Sequence, residues 1–376
     1  METAEQLRNA EETVETPFTL HRIHHVEFYV GNAKQAAYYY RRGYGFRWTG
    51  YQGPETGVRD RVSYLLEQGK VRFVLTTPLN PESDIAQHIL KHGDGVRDIV
   101  FEVDNAEEAH RVTTERGAES VAELHDLSDD DGTVRRATIR TYGDTVHSFV
   151  ETEGYNGFFL PGFAKKEEDT LAEPVGLKHI DHIVGNVDWN QMEETVNFYR
   201  NIFGFRRFVS FDDKDISTEH SALRSTVVAN DNLWIKFPIN EPAEGLRKSQ
   251  IEEYVTYYKG PGVQHVAIEC EDILKTIAKL RENGIEFINV PEAYYDDLLD
   301  RVGDIQEPIE ELKKLNILVD SDDKGYMLQI FTKPVEDRPT LFFEFIQRRG
   351  GESFGKGNFK ALFEAIERDQ QARGNL

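Results

Sequence analysis

Two histidines and one glutamate, His182, His265 and Glu344, are the residues whose types could do metal chemistry together. Glu344 stands between Phe343 and Phe345 in the run LFFEF. A carboxylate in an apolar strand is costly unless it is paired or holds a metal, although strand alternation by itself would turn it to solvent. His182 and His265 lie in similar runs, HIDHIVGNV and VQHVAI. Two neutral imidazoles and one carboxylate leave coordination positions open, the arrangement of a non-haem Fe(II) site. The mixed set suits a borderline divalent ion better than the all-oxygen shell of calcium or magnesium. The three residues are far apart in the chain. Only a fold that lays their strands side by side makes them a site.

An internal repeat supplies that fold. HRIHHVEFYV (21–30) has the alternation of a strand, and NAKQAAYYYRRGYGF (32–46) that of a helix closed by Gly-x-Gly. Strand-like segments follow at 62–68 and 71–77, a helix near 85–91, a turn and strand at GDGVRDIVFEV (93–103), and a helix at 106–117. Strands at 133–143 and 146–154 complete the first half. The second half repeats the order: LKHIDHIVGNV (177–187) falls on the first strand, TVNFYRNIFGF (195–205) on AAYYYRRGYGF, and GPGVQHVAIEC (260–270) on GDGVRDIVFEV. KTIAKLRENGIEFI (275–288) answers AHRVTTERGAESV (109–121), and LFFE (341–344) falls on SFVE (148–151). Matches in the same order through both halves mean a duplicated domain. The predicted division is an acidic arm at 1–17, a first domain at 18–155, a linker at 156–176 rich in Pro, Gly and charge, and a second domain at 177–376.

In the repeat the first-half counterparts of the metal set are His25, Asp98 and Glu151. Asp98 replaces a histidine, so this set is more oxygen-rich and is expected to be degenerate and not to bind iron. His21, His88, His92, His110, His125 and His220 show no such pairing and read as solvated.

Composition narrows the function classes. A chain of 376 residues with a net charge of −23 does not suit nucleic acid or an anionic membrane surface as a partner. No apolar run approaches the roughly 18 residues of a membrane span. The polar, acidic start METAEQLRNAEETVET has neither signal- nor transit-peptide character. A single cysteine, Cys270, excludes an internal disulfide framework, suits a reducing cytoplasm, and reads as an inert core residue.

The strand–helix–strands layout of each half resembles the vicinal oxygen chelate (glyoxalase-like) fold. This is an α+β architecture of two tandem domains, each of paired βαβββ modules, the C-terminal half an open barrel around a metal. Within it the second half resembles the 4-hydroxyphenylpyruvate dioxygenase family through IDHIVGNV (180–187), FPINEP (237–242), KSQIEEY (248–254), GPGVQHVAI (260–268), LQIFTKP (328–334), DRPTLFFEFIQR (337–348) and SFGKGNF (353–359). The resemblance implies one Fe(II) per chain on His182, His265 and Glu344, dioxygen as co-substrate, and oxidative decarboxylation of 4-hydroxyphenylpyruvate with side-chain migration to homogentisate in tyrosine catabolism. It also implies a homodimer or homotetramer.

Such an oxidant needs a dry, aromatic-lined cavity. The resemblance offers Phe331, Phe342, Phe354 and Phe359 as walls, each of which a plain core would equally explain. Ser225, Asn240, Gln250, Gln264 and Gln329 are implied as polar partners, with Pro238, Gly355, Asn358 and Leu362 beside them. Gln264 raises a tension: next to His265 on a flat strand it would face the opposite way, so its role requires a bend. Phe359, Leu362, Phe363 and Ile366 form one apolar face of a terminal helix at about 358–373, with Asn358 as its N-cap. The family reading makes that helix a lid hinged on the glycines of SFGKGNF. The rivals are 4-hydroxymandelate synthase, an extradiol ring-cleaving dioxygenase, and a non-catalytic small-molecule-binding protein of the same fold.

Overall fold

The computed structural model describes residues 17–212 and 221–375. Residues 1–16 of the expected arm, and His220, lie outside them.

Seventeen strands among the described residues form two mixed sheets. The first half contributes β1 (Leu20–Tyr29), β2 (Arg47–Gln52), β3 (Arg61–Gln68), β4 (Val71–Pro78), β5 (Gly95–Val103), β6 (Ser120–Asp129), β7 (Gly132–Arg140), β8 (Val146–Glu151) and the short β9 (Ala164–Lys165). The second contributes β10 (Leu177–Asn186), β11 (Arg206–Phe211), β12 (Ala222–Ala229), β13 (Lys236–Ala243), β14 (Gly262–Cys270), β15 (Leu318–Asp322), β16 (Gly325–Phe331) and β17 (Phe342–Arg349). The sheet orders are β6-β7-β8-β5-β1-β4-β3-β2-β9 and β11-β12-β13-β10-β14-β17-β16-β15. Taken in reverse, the second matches the first strand for strand up to β2. At the centre of each sheet the pairing is also the same: antiparallel β1–β5 and β10–β14, parallel β5–β8 and β14–β17.

Local chemistry explains the helix limits. Asn32 caps helix Ala33–Tyr44 by accepting the Gln35 N–H, and Gly45 closes it at φ 73°, where a Cβ would strike the Glu173 carbonyl. Gly204 closes helix Met192–Phe203 at φ 72°. These two helices pack between the sheets: Tyr40 touches Phe73 and Phe343, and Phe203 touches Phe101 and Phe205. Asn105 and Asp272 cap the equivalent helices Ala106–Glu115 and Ile273–Glu282.

The halves differ in two places. After Ile273–Glu282 the second half adds short helices, Leu298–Val302 and Ile309–Leu315, before β15. In the first half, residues following β8 fold back on their own sheet, where Phe159 and Leu160 pack with Leu65, Val74, Val100, Val134 and Val150. The apolar side chains of NGFFLPGF thus fill the first sheet's hollow. The expected solvated histidines need correction as well. His21 and His125 are exposed, but His88, His92 and His110 are buried. His92 bridges the halves, bonded to the Tyr258 carbonyl and the Asp144 carboxylate, because a buried imidazole must satisfy its ring nitrogens.

Candidate metal centre and its cavity

Strands β10, β14 and β17 are adjacent, and this adjacency brings His182, His265 and Glu344 together. Their ligand atoms lie within 4.8 Å of one another and all three residues are buried. Nε2 of His182 is 3.1 Å and Nε2 of His265 3.4 Å from the same Glu344 oxygen. The Nδ1–H of His182 donates to Asp181 at 2.8 Å, and that of His265 to the Gln264 side-chain oxygen at 3.0 Å. Each imidazole is thereby held with Nε2 turned toward the carboxylate, as a metal-binding histidine is held by its outer partner. Burial works against charge on Glu344, but the His182 imidazole, then His265, outweighs it and lowers the carboxyl to about 2. Burial likewise disfavours the His182 cation, yet Glu344 and Asp181 raise its pKa above the ordinary value, whereas burial leaves that of His265 lowered. An ionised carboxylate facing two imidazole nitrogens, with all ligand atoms within 4.8 Å of one another, fits a divalent cation.

Two β-bulges make this arrangement possible. Between the pairs Ile180–Ile268 and His182–Ala267, Asp181 is an extra residue on β10. Between Val184–His265 and Gly185–Val263, Gln264 is an extra residue on β14. A bulge re-aims neighbouring side chains. Gln264 therefore reaches the same cavity as His265, which resolves the tension over its direction.

The cavity is lined by His182, His265 and Glu344 together with Ser225, Pro238, Asn240, Gln250, Gln264, Gln329, Phe331, Phe342, Phe354, Phe359 and Leu362. Phe342 stacks on His265 at 4.7 Å, and Phe354 lies against His182 at 5.2 Å. Helix Phe359–Ala372 covers the mouth, adding Phe363 and Ile366, with Phe359 against Phe211. Val184, Phe211, Leu223 and Val227 also line it and went unnoticed in the sequence. Spacing two residues beyond His182 and Ser225 marks Val184 and Val227 on the same strand faces.

Two expected lining residues lie elsewhere. Asn358 is fully buried outside the lining, and its side-chain oxygen accepts the Tyr294 hydroxyl at 2.7 Å. It occupies the N-cap position without capping, since Tyr294 has taken its acceptor. Gly355, at φ 77°, is pressed against Gln329, where a Cβ would come within 2.3 Å of the amide nitrogen.

The first-half counterpart also requires correction. On β5 Asp98 stands where His265 stands on β14, but parallel pairing sets Asp98 opposite Val146 and His265 opposite Phe342. Counting along β8 and β17, Ser148 matches Glu344, and Glu151 matches Gln347. Glu151 and Gln347 both cap instead: Glu151 accepts the Ala106 N–H at 2.9 Å and Gln347 the Ile273 N–H at 2.8 Å, each at the start of equivalent helices. His25 is buried with its Nδ1 2.8 Å from that of His24. Asp98 accepts from the Ser148 hydroxyl and from Arg136 at 2.8 Å. Arg136 occupies the β7 position equivalent to Gln329 on β16. The Arg136 guanidinium thus bonds Asp98 and Ser148, two of the three residues that match the second-half set.

Comparison with known proteins agrees with this architecture. Models of the glyoxalase/bleomycin resistance protein/dioxygenase superfamily match residues 179–330 and 24–133. A 4-hydroxyphenylpyruvate dioxygenase of Yarrowia lipolytica is 49% identical, the match covering 94% of this chain and 93% of the relative. That of Dictyostelium discoideum is 48% identical over 94% of this chain and 99% of the relative. The chain belongs to the 4-hydroxyphenylpyruvate dioxygenase family. Among solved structures, a triple mutant of 4-hydroxymandelate synthase from Streptomyces coelicolor superposes with a TM-score of 0.83 at 30% identity, covering 94% of this chain and 99% of that one. The chain is thus built of two tandem domains of that superfamily. No described helix is long and apolar enough to cross a membrane.

Proposed function

We propose that this chain converts 4-hydroxyphenylpyruvate and dioxygen into homogentisate and carbon dioxide, with Fe(II) held by His182, His265 and Glu344. The observation that carries the reading is two Nε2 atoms turned on one Glu344 oxygen at the foot of an aromatic cavity. Relatives bearing the 4-hydroxyphenylpyruvate dioxygenase name, similar over 94% of the chain, support the substrate class. Iron, when bound, would supply a Lewis-acid site for the 2-oxo acid and the electrons for dioxygen chemistry.

The chain's own groups would do the rest. Asp181 and Gln264 hold the imidazoles in one tautomer. With its oxygen committed to His265, Gln264 has its amide N–H2 left to donate to a substrate oxygen. Ser225 and Asn240, paired across β12 and β13, would meet a polar end of the substrate together with Gln250 and Gln329. Phe331, Phe342, Phe354 and Phe359 would clamp the ring and keep water from the oxidant, so that it reacts with the bound ring alone. Pro238 and Leu362 would close the remaining wall, with Gly355 letting the covering segment pass close over Gln329.

The test is anaerobic reconstitution with Fe(II), addition of 4-hydroxyphenylpyruvate and air, and identification of the product by chromatography and mass. Homogentisate with equal carbon dioxide release is expected, and His265→Ala should lose both iron and turnover while remaining folded. Release of 4-hydroxymandelate would replace this reading with the synthase reaction. One bound iron without oxygen uptake would leave a binding protein of the same fold.

A further inference from the structure

Arg348 lies four residues beyond Glu344 on β17 and so projects from the same face of the strand. Its Nε and Nη2 donate to the two oxygens of Asp181 at 2.8 and 2.9 Å. Asp181 is the bulged residue that receives the Nδ1–H of His182. The other end of the guanidinium turns the opposite way. Nη1 donates to the carbonyls of Gly351 and Ser353 at 3.0 and 2.9 Å, and the plane sits 5.6 Å from the Phe354 ring, which packs against His182. The contacts therefore close a ring: His182, Asp181, Arg348, the backbone at 351–353, Phe354, and His182 again.

Two features make this more than local packing. Asp181 is fully buried and faces two cations, Arg348 and Lys236, the latter at 3.5 Å. A carboxylate so balanced has one orientation, and the imidazole bonded to it inherits that orientation. The residues at 351–354 also lead directly into helix Phe359–Ala372, which covers the cavity. An arginine fork can bind a carboxylate on one edge and carbonyls on the other at once, which a lysine ammonium cannot.

We propose that Arg348 and Asp181 form one positioning unit that couples the His182 imidazole to the covering segment. Occupation of the His182–His265–Glu344 set by a divalent cation and seating of the C-terminal helix then favour each other. The inference rests on the metal reading above. Linkage makes it quantitative, because a cation that favours the seated helix by some factor must bind the seated form tighter by that same factor.

The experiment uses the full chain and Co(II), which binds as a divalent ion and does not turn over with dioxygen as Fe(II) does. Hydrogen exchange of peptides covering 354–372 is followed with and without Co(II), and the Co(II) affinity is measured by titration. In the unsubstituted protein Co(II) is expected to slow exchange of the helix about tenfold. Arg348→Lys should abolish that slowing and weaken Co(II) binding by roughly 10–100-fold, the usual effect of losing an outer partner of a metal ligand. Asp181→Asn, which keeps the side-chain shape, should do the same and stands in if the lysine variant does not fold. Equal slowing by Co(II) in parent and variants, or no slowing in the parent, overturns the coupling while leaving the metal reading intact. Failure of the parent to bind one Co(II) removes the metal reading and the coupling with it.

Discussion

If the Arg136 guanidinium balances Asp98 in the first half, removing it should expose a buried charge. In Arg136→Gln, the equivalent second-half residue type is restored at the position of Gln329. Asp98 then keeps only the backbone N–H of Ser148 at 3.0 Å and its hydroxyl. The side chain of Asp98 is 3% exposed, so water cannot replace the lost partner. Breaking one side of such a buried pair costs about 3–5 kcal/mol. For a domain of this size that is a fall in melting temperature of roughly 6–20 °C. The pH dependence has a defined sign. Burial already holds the Asp98 carboxyl above its ordinary value, opposed by Arg136 and Ser148. Without Arg136 it rises further. A carboxyl raised in the folded state favours folding most below its unfolded pKa, and that contribution is lost as pH rises through the folded value. The deficit of Arg136→Gln against the parent is therefore largest at neutral pH and shrinks on acidification. The double variant Asp98→Asn/Arg136→Gln should recover most of the loss. Iron content and turnover per folded chain should stay at the parent's level in all of these, and in Asp98→Ala. Denaturant titration of each variant at several pH values is the assay. A loss below about 1 kcal/mol at neutral pH, or a deficit indifferent to pH, would refute the reasoning.

Two further outcomes follow from the repeat and the covering segment. Glu151→Ala should cost about 1 kcal/mol through the orphaned Ala106 N–H, leaving turnover unchanged, and Gln347→Ala should do likewise at Ile273, both measured by denaturant titration. Gly355→Ala places a methyl on Gln329 at a left-handed backbone position, costing about 1–2 kcal/mol, and should raise KM more than it lowers kcat in steady-state assays with 4-hydroxyphenylpyruvate.

Much of this protein is legible in the chain itself. Repeated alternation, repeated Gly-Phe helix ends and repeated GPG- or GDG-led strands point to two like sheets, and the repeat marks out His182, His265 and Glu344 at matching places in their modules. These features are local, each set by side-chain period and by what a glycine permits. Register is not local. The likeness of SFVE to LFFE sets Glu151 against Glu344, while the parallel ladder puts Ser148 there, because a strand pair is aligned by its hydrogen bonds and not by likeness of letters. The bulges at Asp181 and Gln264 are likewise decided by pairing with a distant strand, and they turn two neighbours into one site. Only the folded chain shows that Phe159 fills the first hollow, that Tyr294 draws Asn358 from the cavity, and that Arg348 reaches both Asp181 and the covering segment. Each of these joins residues far apart in sequence, and which of many buried aromatic or charged groups meet is settled by packing alone.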